Sequence, residues 1–434
     1  MRFLDSALGS APPGGPSRRG SLLTFAASMQ AEVTFAARNL LRRPRRTAVS
    51  ISAVAGGIVA LLLASGFIEW IFHDMREQTI HAQLGHIQVT RPGWHEHGRA
   101  DPLAFLLPDN GAEIDGVAAL PGVTAVAPRF HFSGLVSHEE TTVSFVGEGV
   151  DARKEAAFPS GFAIVTGSHL ADGDAHGALL GVGLASNLGV KVGDTIAAIV
   201  NRRSGGINAV ELTVRGTFST ISKAYDDTAL RMPLATAETL AGIHGAQAWV
   251  VLLHDTDATG ATVAELRRRL PPQGFEVTPW YALADFYNKT VALFSRQIDV
   301  VRAVITAIIV LSITNTMTMT VVERTGEIGT AMALGTRRRR VMTQFLVEGA
   351  LLGALGGLVG ILLGIAIAGV VSAIGIPMPA PPGMAHGYVA AIVVTPAMTV
   401  AALALAVATT LAASAWPAWK ASRLVIVDAL RHQR

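Results

Sequence analysis

Four long apolar stretches constrain this chain more than any other feature. Residues 48–68 carry no charged side chain, and a helix of that length reaches about 30 Å, the thickness of a bilayer's hydrocarbon. The others are residues 300–322, interrupted only by Arg302, then 341–374 and 389–416. Lipid offers no hydrogen bonds, so an apolar run this long must satisfy its backbone internally and is predicted to be helical. Charged residues make up 15% of the chain, against roughly 25% in average soluble proteins, which fits lipid as part of the solvent. Arg302 lies near one end of its span, where its side chain can snorkel to the interface. Trp416 and Trp419 fall where an aromatic belt belongs. The fold class read from this is membrane α-helical, with four transmembrane helices.

The basic residues orient the spans. Arg38, Arg42, Arg43, Arg45 and Arg46 precede the first, Arg324 and Arg337 to Arg340 separate the second from the third, and Lys420, Arg423, Arg431 and Arg434 come after the fourth. The positive-inside rule places these segments in the cytoplasm, and an even number of spans returns both termini to that side. Residues 73–295 then lie outside; they hold 16 Lys and Arg against 24 Asp and Glu. Because the basic residues flank apolar runs, membrane lipid rather than nucleic acid is the expected partner. The localisation read from this is a plasma membrane, multi-pass, with 73–295 extracytoplasmic. With no cysteine, disulfides, thiolate metal sites and cysteine nucleophiles are excluded.

Ten segments are predicted along the chain. Residues 1–27, rich in Pro and Gly, form a disordered cytoplasmic tail, and 28–46 an amphipathic interfacial helix that breaks at Pro44. The spans are 47–72, 296–322, 341–374 and 389–416. A cytoplasmic segment, 323–340, joins the second and third, an extracytoplasmic loop, 375–388, joins the third and fourth, and 417–434 is a cytoplasmic tail. The inserted segment 73–295 is read as an α+β domain, with two lobes as one option. Strand-like runs are 86–90, 142–146, 178–180, 195–200, 211–216 and 248–253, and helical ones 110–120, 236–242 and 259–270. His81, His86, His95 and His97 with Glu96 lack the i, i+4 spacing of a helical zinc pair, so no metal site is assigned. Arg202 and Arg203 beside Ser204-Gly205-Gly206 read as a hairpin tip, and no nucleophile–base arrangement is found.

The segment between spans two and three is the most informative. Glu323 and Glu327 are spaced for one edge of a helix, Gly335 offers a left-handed exit, and Thr336 can cap the next helix. Glu323, Arg324, Glu327, Ile328, Gly329, Ala333, Leu334 and Gly335 resemble the E-R-x-x-E-I-G-x-x-x-A-L-G hallmark of the FtsX-like permease family. That family includes the permeases of macrolide exporters and of lipoprotein-release transporters. Residues 417–431 resemble its closing P-A-x-x-A-x-R-x-x-P-x-x-A-L-R, with Ile426 or Val427 where the usual proline stands. Residues 37–47 look like the entry to the family's first helix, and 180–194 are similar to part of its periplasmic core domain.

The resemblance implies that 323–335 is a coupling helix received by a cytoplasmic ABC ATPase. No G-x-x-x-x-G-K-[ST] phosphate cradle occurs in the sequence, so ATP and its Mg²⁺ are expected on that partner chain and no cofactor or catalytic residue on this one. It also implies a second permease copy or a homologous permease, and a periplasmic chaperone or adaptor. Without an ionisable track through the spans, lipidated or amphiphilic cargo is the expected load. The alternative is a non-transporting signal transmitter that regulates cell-wall enzymes. Within span three, Gly349, Gly353 and Gly357, and then Gly356, Gly360 and Gly364, recur at four-residue spacing, which predicts close helix packing, within one subunit or between two. Glu348, at the start of this span, has no partner assigned from sequence.

Overall fold

The computed structural model describes Thr34, Phe158 and residues 36–42, 44–98, 101–155, 162–220, 222–379 and 387–425. The predicted tail 1–27, residues 28–33 of the interfacial helix, residues 380–386 of the 375–388 loop and the chain beyond 425 lie outside them. The larger helices are α1 (Pro44–Thr79), α2 (Ala112–Ala118), α3 (Val182–Leu188), α4 (Leu234–Ala241), α5 (Thr259–Arg269), α6 (Asp285–Glu323), α7 (Thr325–Ala333), α8 (Arg338–Ile374) and α9 (Pro396–Ser422). Four of them, α1, α6, α8 and α9, are long and apolar enough to cross a membrane. The chain divides into two compact units, one of residues 1–68, 296–374 and 391–434, the other of 69–295 and 375–390.

In the helical unit, each helix starts and stops for a local reason. The Thr395 hydroxyl accepts from the Met398 N–H at 3.3 Å and Pro396 fills the first turn of α9. The fourth span therefore begins seven residues later than predicted from hydropathy. Tyr388–Ala390 is instead a strand, paired with Ile376–Met378, because an apolar run alone does not distinguish strand from helix. The 375–388 loop is correspondingly grouped with the α/β unit. Helices α1 and α6 also extend past the predicted spans, to Thr79 and back to Asp285.

Helix α9 also runs past the predicted end of span four at Trp416, through Pro417 to Ser422. Proline has no N–H to give the carbonyl four residues back. That carbonyl, on Ala413, accepts instead from the Thr314 hydroxyl of α6 at 3.1 Å. A neighbouring helix thus supplies the missing bond, as helix-breaking residues in membrane helices require.

Helix α8 packs through its glycines. A Cβ on Gly349 or Gly353 would come within 2.1 Å of the Ser414 or Thr410 hydroxyl of α9. On Gly356 or Gly360 it would meet Val54 at 2.7 Å or the Ala55 carbonyl and Ile58 at 2.8 Å, all on α1. Gly357 faces Leu403 and Ala406 of α9, and Gly364 faces Leu62 of α1. The two four-residue registers therefore serve two different neighbours within one subunit. Backbone approach this close is what glycine in a membrane helix permits. Ser414 and Thr410 return their hydroxyls to carbonyls of their own helix, so they fit the apolar contact without an unmet polar group.

The α/β unit is built on one mixed sheet. Its strands are β1 (Ile87–Thr90), β2 (Val123–His138), β3 (Thr141–Val150), β4 (Ala163–Gly167), β5 (Gly177–Gly181), β6 (Thr195–Asn201), β7 (Ile207–Ser219), β8 (Ala229–Pro233), β9 (Ala248–Leu253) and β10 (Glu276–Pro279). The order is β10-β1-β9-β2-β3-β8-β5-β7-β4, with β6 bonded to β2 and β7. Pairs β3–β8 and β5–β7 are parallel and the others antiparallel. One core joins Phe130, Phe145, Leu180, Leu184 and Leu240 beneath α3 and α4; a second joins Ile87, Val126, Trp249, Val251 and Leu266 beneath α2 and α5. Smaller clusters form around Val250 and Trp280 and around Leu179 and Phe218, and one continuous sheet runs through them all, in place of two separate lobes.

Candidate coupling site

The segment after α6 folds as its sequence requires. Arg324, at φ −101 and ψ 11, breaks the helix, and α7 then buries Ile328, Gly329 and Met332. At its end the Gly335 N–H donates to the Met332 carbonyl and the Thr336 N–H to the Ala331 carbonyl, each at 3.0 Å. Gly335 sits at φ +95, a left-handed exit that only glycine makes without strain. The opposite face of α7 and its exit stay open: Glu327, Ala333, Leu334 and Gly335 are exposed, Leu334 to 84%. A leucine that exposed, next to Gly335 and the run Arg337 to Arg340, leaves a small apolar knob on a basic rim.

Behind this face the charges pair among themselves. Because the helix breaks at Arg324, Glu323 and Glu327 do not share a helix edge as predicted. Glu323 closes α6 with an ion pair to Arg46 of α1. Arg324 reaches Glu327 at 3.2 Å and Glu348 at 3.6 Å, with its guanidinium 5.8 Å from the centre of the Phe345 ring. Arg324 thus ties α7 to α8 from a largely buried position. A cavity of about 60 Å³, lined by Ser50, Arg46, Thr320, Arg324 and Glu348 among others, has the size and polarity that ordered water needs. Sequence reasoning finds a partner neither for Glu348 nor for Arg46, because both contacts join different helices.

A second ionic cluster, not foreseen, lies in the α/β unit. Arg129 of β2 grips Glu155 through two bonds, 2.7 and 3.1 Å. Arg231 of β8 bonds Glu148 of β3 at 2.5 Å, and Arg129 approaches Glu148 at 3.4 Å. Burial alone would raise the Glu148 carboxyl, but Arg231 and Arg129 hold it down at about 2. The arginines also lie over Phe162 and Phe158, at 4.8 and 5.4 Å. Each charge is matched within the fold, and the cluster joins β2, β3 and β8.

The histidines fall apart as ligands. His86 is buried, accepts from the Leu253 N–H at 3.1 Å and bonds Thr256 at 3.0 Å. Burial, then the neighbouring His81, lowers its pKa to about 4. His95 and His97 sit on a short helical turn, Trp94–His97, rather than the predicted loop. Among the described residues no group of three or more His, Cys, Asp and Glu is arranged to hold a metal.

Four spanning helices with one α/β domain inserted between the first two, and a short helix joining the second and third, define a polytopic permease subunit. The chain belongs to the FtsX-like ABC transporter permeases that carry a MacB-like periplasmic core domain. Residues 47–269 match the MacB-like periplasmic core domain and 300–426 the FtsX-like permease C-terminal family. It is 25% identical over 321 residues to the lipoprotein-releasing system transmembrane protein LolC of Neisseria meningitidis, covering 70% of this chain and 72% of LolC. It is 26% identical over 391 residues to the macrolide export ATP-binding/permease protein MacB of Rhodospirillum rubrum, covering 87% of this chain and 58% of that one. The periplasmic region of MacB from Actinobacillus actinomycetemcomitans aligns with a TM-score of 0.34 at 13% identity, over 46% of this chain and 92% of that region.

Proposed function

We propose that this permease is driven by a separate ABC ATPase, which holds ATP and Mg²⁺ and receives the exposed face of α7. The observation that carries the proposal is Leu334, a large apolar side chain left 84% exposed between Ala333 and the positive-φ Gly335. An apolar anchor flanked by small residues suits insertion into a partner's pocket. Glu327 and Arg337 to Arg340 would form the polar rim; the positive-inside rule supports a cytoplasmic side for this end, and the membrane we propose is a bacterial inner membrane. Arg324, tied to Glu348, would carry force from α7 into α8. No catalytic role is assigned to the chain itself.

The load we propose is lipidated or amphiphilic cargo handled by the periplasmic core domain, with a periplasmic adaptor or chaperone as a further partner. Supporting this, the ionisable side chains inside the predicted spans are few and sit toward the span ends, as with Arg302 and Glu348, which suits no hydrophilic solute path. The test is to co-purify the ATPase with full-length Leu334→Asp and Leu334→Met chains. Asp should lose the ATPase and its stimulation, while Met should keep both. Full ATPase retention by Leu334→Asp would overturn the docking assignment. Release of a membrane-anchored lipoprotein from proteoliposomes tests the cargo, and failure with every lipidated cargo offered removes that part.

A further inference from the structure

Four polar residues fall on one face of the chain around the start of α1. Asn39, Arg42, Arg46 and Ser50 stand at spacings of three, four and four, which brings them to one side of a helix. Residues 36–42 are helical, as α1 is. Pro44 has no N–H to give the Leu40 carbonyl; the Thr47 hydroxyl donates to it instead, at 2.8 Å, and ties the two stretches together.

This polar face lines the cavity of about 60 Å³ that α1 shares with α6 and α8, several times the roughly 10–15 Å³ that one water needs. Ser50 is fully buried, and its hydroxyl, the Asn39 amide nitrogen and Arg46 Nη1 have no hydrogen-bond partner. Arg46 gives only Nη2 to Glu323. The carboxylates that line the cavity are already answered, since Arg324 pairs with both Glu327 and Glu348. Unmet buried donors are rare in folded proteins, and three around one cavity call for an occupant made of acceptors. Water brings as many donors as acceptors. A phosphodiester brings charged oxygens and no donor.

The mouth of the cavity agrees. Arg42 lines it, is exposed and adds a positive charge there. On the same edge of the helix Val49, Gly56 and Ala60 follow at spacings of seven, seven and four, and all three are exposed. A Cβ on Gly56 would meet nothing within 4 Å. An open apolar track therefore leads from the charged mouth along the span.

We propose that this cavity holds the phosphate of an anionic phospholipid, with Asn39, Arg46 and Ser50 donating to its oxygens and an acyl chain lying along Val49 and Gly56. A free phosphate would meet the same donors but leave the track bare. A basic pocket between membrane helices, beside a negatively charged leaflet, is where such headgroups gather. The lipid is a resident of the helical bundle rather than its load. The proposal rests on the spans crossing a bilayer and is independent of ATPase docking.

The test titrates a fluorescent phosphatidylglycerol onto the full-length chain in detergent. It is then displaced with unlabelled phosphatidylglycerol, with diacylglycerol of the same chains, or with inorganic phosphate. Only the phospholipid should displace it at low concentration. Equal displacement by inorganic phosphate would make the ligand a free anion, and displacement by diacylglycerol a plain acyl groove. Absence of saturable binding would leave water as the occupant; each of these results overturns the proposal. Ser50→Ala should weaken binding roughly 10- to 100-fold, the scale of a lost hydrogen bond to a charged group. Arg42→Gln, at the exposed mouth where folding is not at stake, should weaken it about 5-fold. Arg45→Gln, equally exposed but away from the lining, should leave it unchanged. Equal losses from Arg42→Gln and Arg45→Gln would reduce the site to general surface attraction and refute it.

Discussion

Replacing Thr314 by Val tests the bond that lets α9 run through its proline. The two side chains are nearly equal in volume, so the change removes one donor and little else. It leaves the buried Ala413 carbonyl, now at 3.1 Å from the Thr314 hydroxyl, without a partner, because Pro417 cannot supply one. An orphaned buried carbonyl costs roughly 1–3 kcal/mol in water-soluble proteins. Interhelical bonds in membranes average about 0.6 and reach about 1.7 kcal/mol, so a loss of about 1 kcal/mol is expected. Pro417→Ala restores an N–H four residues after Ala413. In that background Thr314→Val should cost almost nothing, giving a coupling of about 1 kcal/mol between residues on different helices. The assay is reversible unfolding in mixed micelles, read by tryptophan fluorescence, for wild type, both single variants and the double variant. Equal cost of Thr314→Val in both backgrounds would refute the reasoning, since the hydroxyl would then not be answering the proline.

The packing and the charges give two further expected outcomes. Gly353→Ala should destabilise the helical unit by about 1–3 kcal/mol, because its Cβ would meet the Thr410 hydroxyl at 2.1 Å and the backbone at Ala406 and Val407 at 3.0 Å; Gly369→Ala, with nothing within 4 Å, should cost nothing in the same thermal unfolding assay. Acid should weaken the α/β unit in two stages. His86 and Glu148 both have folded-state pKa values below their ordinary ones, so each contributes stability above the ordinary value that fades on acidification. The first loss falls between pH 6.5 and about 4 as His86 resists protonation, and the second between 4.5 and about 2 as Glu148 does. Melting temperature against pH measures both, and Glu148→Gln, which should itself cost about 3–5 kcal/mol, should abolish the second stage while leaving the first.

How much of the fold is legible in the sequence depends on the range of the interactions involved. The spans and glycine registers repeat every few residues, and such periodicity is visible in a local window. Which helix each register faces is not, since Ser414 and Val54 lie far from Gly349 and Gly356 in the chain. Span four differs from its predicted limits at both ends. Val389 belongs to an apolar strand, and Pro417 reads as a stop because the Thr314 donor sits about a hundred residues away. Strand β2, at 16 residues, escapes a local reading because Pro128, Arg129 and Gly134 break its apolar alternation; Arg129 is inside only because Glu155 and Glu148 meet it there. In the coupling segment the turn chemistry of Gly335 is legible. The pairing of Glu323 with Arg46 is not, and it takes away one of the two acidic residues expected on the same edge.

The glycine contacts of α8 also set how this subunit can change over time. A glycine has no rotamers to freeze, so the α8 side of those contacts forms without side-chain entropy loss. But every substitution at Gly349, Gly353, Gly356 or Gly360 enlarges the residue, and none can shrink it further. Relief can come only from the opposite wall, by trimming Ser414, Thr410, Val54 or Ile58. Such positions drift in pairs, with the compensating change arriving first on α1 or α9.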